Sequence, residues 1–408
     1  MSIKAVEITG YKCFSRKQVI DLSVPQDGIA GSGLNVLIGE NNSGKTAVLS
    51  AFTKLHQNAQ FFDEEKYDGR DIFIKFVHSE GGEQIIKNIL GSANLDQSVQ
   101  NSEFLIKYQD IHYIKDNRIW TSNFSKYNTT PQAYRTNADL RRHDIDSDLA
   151  NALSSLEKEE PALKLDFNNS IKKIIPSFSD WYMGAHSKTG SYITYEMLNG
   201  KREDIDYSLG SGILNLFRIV YALIDDSKIV IIDEPEAYLH PQAQQKLAKL
   251  LIEKSREKQI IIATHSPFMF QEAVSRNSNL IVFRRTKKKI TVQSANTESW
   301  GLFEKISPTH SEINYKAYGL VTSEFHNELY GFVQSKFNKE NSIKAFDLFL
   351  VTRGDLKKVW KYGSTTYAGV TTYIRNYIHH PEQKDKNPKY SQTELRRSIS
   401  FLVRLMKE

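Results

Sequence analysis

Eight residues near the N-terminus have the spacing of a phosphate-binding loop. Residues 39–46 read GENNSGKT and match the pattern GxxxxGK[ST], between the apolar run LNVLIG and an amphipathic stretch. Successive backbone N–H groups of such a loop surround β- and γ-phosphates, Lys45 adds a positive charge, and the Thr46 hydroxyl can hold Mg²⁺. A chance glycine-rich turn is the alternative, and the strand-loop-helix context disfavours it. Phosphate contacts are expected from Asn41, Asn42, Ser43, Gly44, Lys45 and Thr46.

Two adjacent carboxylates follow a second apolar run. In KIVIIDEP, four apolar residues precede Asp233 and Glu234. A carboxylate at the end of a buried strand suits the Mg²⁺ shell, and its neighbour can accept a proton from an attacking water. Alone this pattern is weak, but together with the upstream loop it predicts nucleotide hydrolysis, with Thr46 and Asp233 as metal ligands and Glu234 as the catalytic base.

A histidine follows a third apolar run. In IIIATHSP, His265 comes just after the residues expected to form a strand. Ligands of open α/β sheets collect at the carboxyl ends of the strands. A lone histidine is usually an ordinary polar residue, but the ordered series of three motifs favours a catalytic His265 that contacts the γ-phosphate.

The elements that must position these residues alternate between strands and helices. Strands are expected over IKAVEIT, KQVIDL and LNVLIG, and a helix over 45–57. Further along, a helix over GILNLFRIVYALI, the strand KIVIID, a helix opened by Pro241 and the strand QIIIATH indicate a parallel α/β core. Residues 280–294 read as a hairpin. The chain then becomes aromatic and helical, so we place a domain boundary near residue 300.

Composition excludes several classes of protein. The 408 residues are 40% hydrophobic and 25% charged, which disfavours disorder, and no apolar run approaches the roughly 20 residues that span a bilayer. The single Cys13 cannot form an intramolecular disulfide, so we expect a reducing, cytoplasmic setting without a membrane. The formal charge of +6 fits either a nucleic-acid-binding face or no special partner.

The order of these motifs resembles that of a known group of ATPases. GENNSGKT, a serine/glycine motif, IIDEPEAYLHP and ATHSP are similar to the ABC-type heads of the SMC and RecF group, and most similar to the smaller OLD and Septu PtuA ATPases of bacterial antiphage systems. The resemblance covers about 1–295. It implies an α/β fold, with an ABC-type P-loop ATPase head, an N-terminal antiparallel β subdomain, a short helical lid insertion and a mostly α C-terminal module.

The resemblance also implies a homodimer or higher oligomer formed through the ATPase heads. In that family the signature loop of one subunit closes over the ATP of the other, and the matching segment here is Ser208–Gly212. It departs from LSGGQ, since Gly210 replaces the usual serine, but Ser211 and Gly212 keep a hydroxyl and a backbone donor for the nucleotide. This departure favours slow hydrolysis, or ATP held as a clamp. By the same resemblance Glu236 to His240 form the D-loop, which communicates across the dimer.

The segment between the two halves is too short for long arms. It holds about 160 residues between Thr46 and Tyr207, without sustained heptads, so a chromosome-spanning coiled coil does not fit. We expect residues 60–205 to supply outer strands and a small lid. The ATPase head would then occupy 1–300, and the C-terminal helical module 301–408.

The C-terminal module contains a second candidate site. Arg375 and His380 form an R-x4-H arrangement that resembles the HEPN ribonuclease motif. Chemically, a histidine could move the ribose 2′-hydroxyl proton while the arginine stabilises the phosphorane charge. Such patterns are common by chance, so a structural or docking role is the stronger alternative. A similar choice applies to the basic turn at 284–289, which is a solvated loop or a phosphate contact.

Three functional hypotheses follow. The first is an ATP-hydrolysing sensor or regulatory subunit of an antiphage system, which dimerises around ATP and Mg²⁺, responds to a phage-encoded trigger and controls a separate nuclease or toxin. No TOPRIM-like acidic triad or HNH pattern can be placed after residue 300, so the effector is expected to be a partner protein. The second is an ATP-gated ribonuclease toxin that uses Arg375 and His380. The third is a RecF-like DNA-binding repair ATPase.

Overall fold

The computed structural model contains two compact units, residues Met1–Ala295 and Asn296–Glu408. The residues that the structure describes are 1–56, 61–88, 95–100, 106–115, 145–186, 190–204, 211–275, 278–287, 289–297, 300–303 and 306–408.

The first unit alternates between strands and helices. In chain order its elements are β1 (Ile3–Thr9), β2 (Gln18–Asp21), β3 (Leu34–Gly39), α1 (Lys45–Ala51), β4 (Phe73–His78), β5 (Glu83–Asn88), β6 (Leu95–Gln100), β7 (Ile111–Ile114), α2 (Ile145–Glu159), α3 (Pro161–Ile174), β8 (Phe178–His186), β9 (Gly190–Met197), β10 (Arg202–Asp204), α4 (Ser211–Ile224), β11 (Ile229–Asp233), α5 (Pro241–Lys254), β12 (Gln259–Ala263), α6 (Pro267–Ser275), β13 (Asn279–Thr286) and β14 (Lys289–Ser294).

A six-stranded sheet forms the centre of this unit, in the order β14-β13-β3-β12-β11-β7. Strands β13, β3, β12, β11 and β7 are parallel, and β14 returns antiparallel at one edge. Every residue of β3, β11 and β12 is buried, as expected of parallel strands covered on both faces. Since parallel strands end at the same edge, the phosphate loop after β3, the carboxylates at the end of β11 and the histidine after β12 meet there.

A second sheet covers α1. It is antiparallel, in the order β2-β1-β4-β5-β6. Buried apolar residues from this sheet, from α1 and from the central sheet form one continuous cluster, which includes Ile8, Val48, Phe76, Ile231 and Ile261. The α1 helix is thereby fixed on both sides, and the predicted α/β architecture with an antiparallel β subdomain is confirmed.

The segment between the two halves of the nucleotide motif is divided among several layers. Strands β4 to β6 extend the antiparallel sheet, β7 joins the central sheet, and α2 and α3 precede the three-stranded sheet β10-β9-β8. Phe167 of α3 and Trp181 of β8 pack against Phe217 of α4, with ring centroids 5.0 and 6.2 Å away. Aromatic packing therefore joins this segment to the helix that follows the signature loop.

One helix is shorter than predicted. The helix expected over 45–57 ends at Ala51, and the chain tightens into a 3₁₀ turn at Phe52–Leu55. The hydroxyl of Thr53 donates to the Ser50 carbonyl, 2.7 Å away, and the hydroxyl of Ser50 donates to the Ala47 carbonyl, 3.0 Å away. Side-chain hydroxyls that bond to nearby carbonyls compete with the α-helical pattern, which explains the early end.

The second unit is mostly helical. Its elements are α7 (His310–Tyr318), α8 (Ser323–Lys336), α9 (Ile343–Thr352), β15 (Lys357–Tyr362), β16 (Thr365–Gly369), α10 (Val370–His379) and α11 (Gln392–Lys407). Leu329, Phe346, Ile374, Ile399 and Leu402 are among the fully buried residues of its core. The antiparallel hairpin β15-β16 was not predicted. Within the described residues, no helix is both long and apolar enough to cross a bilayer.

Candidate functional site

The loop from Gly39 to Thr46 joins β3 to α1 in a conformation that requires glycine. Gly39 and Gly44 have φ of 146° and 106°. A Cβ at Gly39 would lie 2.2 Å from the Phe283 carbonyl oxygen, and one at Gly44 would lie 3.1 Å from the Cys13 sulfur. Both positions therefore exclude larger residues, and the backbone N–H groups of the loop stay accessible to a phosphate.

Lys45 is charged but nearly buried, with 6% of its surface exposed. Its Nζ donates to the carbonyls of Gly39 and Glu40, at 2.8 and 3.0 Å. Burial lowers the pKa of Lys45 to about 8, although the charges of Asp233, Glu234 and Glu236 oppose the shift. The loop thus holds an ammonium group that lacks full hydration, and a phosphate would stabilise its charge.

The predicted phosphate, metal and catalytic residues line one cavity of about 570 Å³. The Ser43 hydroxyl is fully buried there without a hydrogen-bond partner. The residues that line the cavity are Lys12, Cys13, Asn41, Asn42, Ser43, Gly44, Lys45, Thr46, Ala47, Asp233, Glu234, His265 and Arg285. The structure therefore brings Asn41–Thr46, Asp233, Glu234 and His265 together.

The two carboxylates occupy different backbone conformations. Asp233 is the last residue of β11 and is buried. Glu234 has φ of 53°, which is uncommon outside glycine, and its N–H donates to the Ala263 carbonyl, 2.9 Å away. A left-handed residue directly after the strand turns the chain, so that both consecutive side chains line the cavity. Strain of this kind concentrates at functional sites.

Glu236 connects the segment after β11 to the segment after β12. Its Oε1 accepts hydrogen bonds from the backbone N–H groups of His265 and Ser266, at 2.8 and 3.0 Å. Burial raises the pKa of this carboxyl group. The Ser266 hydroxyl in turn donates to Oε1 of Gln244 on α5, 2.6 Å away. The sequence predicted a D-loop position for Glu236 but not this contact, which depends on two strands being neighbours.

Four residues of the cavity were not predicted as site residues: Lys12, Cys13, Ala47 and Arg285. The guanidinium of Arg285 on β13 donates to the Asn42 carbonyl, 3.1 Å away, so the basic turn expected to be a solvated loop contributes one side chain to the phosphate loop. Lys12 donates to the Ser50 hydroxyl at 2.7 Å, and burial raises the pKa of the Cys13 thiol. The positions of Lys12 and Cys13 follow from the packing of α1 against the antiparallel sheet, and that of Arg285 from the pairing of β13 with β3, neither of which a local motif reveals.

Gly212, the last residue of the signature segment, lies beside the D-loop. Residues 205–210, including Ser208 and Gly210, lie outside the described residues, and Ser211 begins α4. A Cβ at Gly212 would lie 2.7 Å from the Tyr238 carbonyl oxygen. The Asn215 carboxamide donates to the carbonyls of Pro235 and Ala237, both at 3.3 Å. The start of α4 is therefore fixed against the segment after β11, and Gly212 is not among the residues that line the cavity.

Arg375 and His380 each have another partner in the second unit. Arg375 donates from Nη1 to the Asn376 side chain at 3.0 Å, and His380 interacts through Nδ1 with Glu382 at 3.1 Å and packs on the Tyr362 ring at 5.0 Å. In the described part of this unit, no hydrogen bond joins Arg375 to His380. The neighbouring His379 has a lowered pKa because of its partial burial and the nearby charges of Arg375 and His380. A ribonuclease role for the pair stays a prediction.

The cavity fits a nucleoside triphosphate with a divalent cation. The buried Lys45, the glycines that only a small residue can occupy and the unpartnered Ser43 hydroxyl suit phosphate oxygens. Among the described residues, no group of three or more His, Cys, Asp and Glu side chains is arranged for a metal ion. Mg²⁺ does not require such a group of side chains, because it binds through one or two protein ligands together with substrate phosphates. Thr46 and Asp233, which both line the cavity, carry oxygen atoms that could serve as these ligands.

A solved SMC head structure is similar to this chain in fold. An SMC head bound to the C-terminal winged-helix domain of ScpA aligns with a TM-score of 0.51 and 16% identity, covering 73% of this chain and 99% of that one. The SMC head with an extended coiled coil from Pyrococcus furiosus aligns with a TM-score of 0.49 and 16% identity, covering 72% and 96%. The first of these alignments confirms the predicted SMC-like fold.

Two sequence comparisons complete the assignment. Endonuclease GajA of Bacillus cereus (strain VD045) is 32% identical over 140 residues, which are 33% of this chain and 22% of that protein. The chain thus matches about a fifth of the length of this relative. The model of the AAA ATPase domain matches residues 1–116 and 79–270. This match covers most of the first unit and more than half of the chain, so the chain belongs to the AAA ATPase domain family and is a nucleotide-binding ATPase.

Proposed function

We propose that this ATPase is the regulatory subunit of an antiphage defence system, and that it dimerises around Mg²⁺-ATP to control a separate effector. The observation that carries the proposal is the convergence of the phosphate loop, the two carboxylates and His265 on one cavity. The defence setting is supported by the resemblance to OLD and PtuA ATPases and by the 32% identity to an endonuclease over 140 residues. A cytoplasmic location fits the single free Cys13.

The predicted site residues of the cavity divide the work of the proposed hydrolysis. The loop N–H groups and Lys45 bind the β- and γ-phosphates, and Thr46 and Asp233 hold Mg²⁺, which neutralises phosphate charge when bound. Glu234 orients the attacking water and accepts its proton. His265 contacts the γ-phosphate, and Glu236 fixes its backbone through the 2.8 Å hydrogen bond. Hydrolysis removes the γ-phosphate that His265 contacts. The position of the segment after β12, which contains His265, can therefore change with the nucleotide that is bound.

The position of the signature segment supports dimerisation. Gly212 lies against Tyr238 and is not among the cavity residues of the same chain. Tyr238 is 53% exposed and has φ of 62°, so an apolar ring is presented to solvent beside the signature helix. We propose that a second copy brings its Ser211 and Gly212 to the nucleotide, with the exposed Tyr238 segments at the interface.

The experiment is a measurement of molar mass by light scattering after size exclusion. Glu234→Gln removes the base but keeps the shape of the side chain, so with ATP and Mg²⁺ the variant should elute at twice the monomer mass of 46.8 kDa. Adding Lys45→Ala to this variant should return the monomer, because nucleotide binding is lost. A monomer for Glu234→Gln at saturating ATP would refute the dimer.

A second measurement tests the defence role. The chain would be expressed in bacteria with the genes that flank its own, and plaques counted after phage infection. We expect protection that is lost in Lys45→Ala and kept in Lys249→Ala, which removes an exposed lysine of α5. Equal plaque counts with and without the intact genes would contradict the antiphage setting and leave the ATPase assignment untouched.

A further inference from the structure

The net charge of the chain is concentrated in its last quarter. The first unit, Met1–Ala295, contains 37 Lys and Arg and 36 Asp and Glu, whereas the second unit, Asn296–Glu408, contains 17 and 12. The second unit therefore carries +5 of the total formal charge of +6, and the ATPase head is nearly neutral. The basic turn at 284–289 and Lys45, which lie in the head, do not explain it. A charge excess concentrated in one unit indicates an anionic partner for that unit.

The helix α11 carries a row of exposed cations. Arg396, Arg397, Arg404 and Lys407 are exposed and form what we call the basic face of α11. The two acidic residues at the ends of this segment already have partners: Glu394 pairs with Lys358 and Glu408 with Arg353, both at 2.7 Å. The positive charge of the basic face is therefore not neutralised along the helix.

Helix electrostatics explains only half of this face. Arg404 and Lys407 lie near the C-terminus of α11, where cations stabilise the helix dipole. Arg396 and Arg397 lie near its N-terminus, where a cation gains nothing from the dipole. The Nη2 of Arg404 donates to the Arg353 carbonyl at 3.2 Å, and since a guanidinium has five donors, others remain for a ligand. Stabilisation of the helix dipole therefore does not account for all four cations, whereas binding of an external anion does.

The opposite side of α11 is not available for insertion into a membrane. Leu395, Ile399, Leu402 and Leu405 are fully or almost fully buried in the core of the second unit. The buried His326 side chain on α8 also hydrogen-bonds through Nε2 to Ser398, 2.9 Å away. An amphipathic helix binds a bilayer by inserting its apolar side, and this one is already committed to the protein core. A phosphate polymer requires only the charged side.

The length of the basic face matches several phosphates. From Arg396 to Lys407 the helix rises about 16 Å, at roughly 1.5 Å per residue. Phosphates along one strand of a duplex are about 3.4 Å apart on its axis, so the face spans about five of them. We propose that the basic face of α11 binds the phosphate backbone of a nucleic-acid duplex without sequence preference. This goes beyond the proposed function and does not depend on ATP or on dimerisation.

The test is fluorescence anisotropy of the full-length protein with a labelled DNA duplex, from about 50 to 200 mM salt. The face variant carries Arg396→Gln, Arg397→Gln and Arg404→Gln. The control carries Lys344→Gln, Lys361→Gln and Lys386→Gln, which removes the same charge from exposed positions elsewhere in the unit. Since each phosphate contact contributes about 0.9 to the slope of log affinity against log salt, we expect the face variant to lose about 2 to 3 from the slope and at least tenfold in affinity.

The control should keep its affinity within about threefold, because its charges lie outside the contact. Equal losses in both variants would show a diffuse charge effect and overturn the site. Absence of duplex binding by the wild type at low salt would overturn it as well, and so would charge-dependent binding to anionic vesicles in place of the duplex. An RNA duplex measured in parallel identifies the natural form. Thermal melting of both variants confirms that they fold.

Discussion

Two residues of the cavity are held in states that cost stability. Glu234 has a left-handed backbone with φ of 53°, and Lys45 keeps its ammonium group almost fully buried. Such features persist because the parallel strands around them are completely buried and fix the loops at their ends. The sequence predicted the identity of these residues, since the motif is local. It could not predict the strain or the burial, because both arise from tertiary structure; the Glu234 N–H, for example, donates to Ala263 on a neighbouring strand.

Replacing Lys45 should stabilise the protein while it abolishes nucleotide binding. Because the pKa of Lys45 falls from 10.5 to about 8 on folding, the charged form is disfavoured in the folded state at pH 7. We expect Lys45→Met to raise the free energy of unfolding by about 1 to 3 kcal/mol. The advantage should shrink as the pH rises from about 8 to 10.5, where the folded wild type releases the proton first.

Urea unfolding at pH 7 and pH 10 measures this difference. Lys249→Met serves as the control, because that lysine is exposed on α5 and pairs only at the surface, 3.7 Å from Glu272. A Lys45→Met protein that is less stable than wild type at pH 7 would contradict the burial cost.

At the scale of elements, the loops after β11 and β12 act as one unit through Glu236. The carboxylate accepts from the N–H groups of His265 and Ser266, so His265, the proposed γ-phosphate contact, is oriented by the segment after the neighbouring strand. The strands themselves were predictable from their apolar runs. Their order in the sheet was not, because β11 pairs with β7 through residues separated by more than a hundred positions.

Glu236→Ala should slow hydrolysis more than it weakens binding. The variant frees the backbone of His265 but leaves the phosphate loop intact, so we expect kcat to fall about 10- to 100-fold while KM changes little. Glu236→Gln keeps an acceptor oxygen, so its kcat should fall less than that of Glu236→Ala. Steady-state phosphate release measures both constants, and the exposed Glu257→Ala is the matched control. A change in KM alone would contradict a positioning role.

The start of α10 provides a prediction for pH. Asp355 accepts from the Thr371 N–H and hydroxyl, at 2.9 and 3.0 Å, and Asp347 accepts from Ala368 and Gly369 in front of the helix. Burial raises the pKa of Asp355 from 3.8 to about 6. The folded state therefore binds the Asp355 proton more tightly than the unfolded state does. The protonated carboxyl group contributes stability that is fully present below pH 3.8 and is lost as the pH rises through about 6.

Compared with Asp355→Asn, the wild type should lose about 2 to 3 kcal/mol of unfolding free energy between pH 4 and pH 7. Asp385→Asn, an exposed aspartate of the same unit, provides the comparison for general charge effects. If the difference in unfolding free energy between wild type and Asp355→Asn stays constant with pH, Asp355 does not have a raised pKa.

At the scale of the molecule, motifs and periodicity predicted the first unit better than the second. The buried strands of the head are continuous runs of Ile and Val, which are recognisable as strands from the sequence alone. In the second unit the hairpin β15-β16 buries little apart from Trp360 and Gly369, so its polar strands gave no apolar signal. The net charge of +6 follows from the composition alone. Its concentration in Asn296–Glu408, which carries +5 of the +6, separates a nearly neutral ATPase head from a basic second unit.

The measurement that most directly tests the ATPase site is phosphate release from Mg²⁺-ATP by wild type and Glu234→Gln. Because a positioned general base contributes about 10²- to 10⁴-fold, we expect hydrolysis by the wild type and at most about 1% of that rate in Glu234→Gln, with nucleotide binding retained. Hydrolysis at the wild-type rate in Glu234→Gln would contradict the assignment of the catalytic base and with it the proposed chemistry of the cavity.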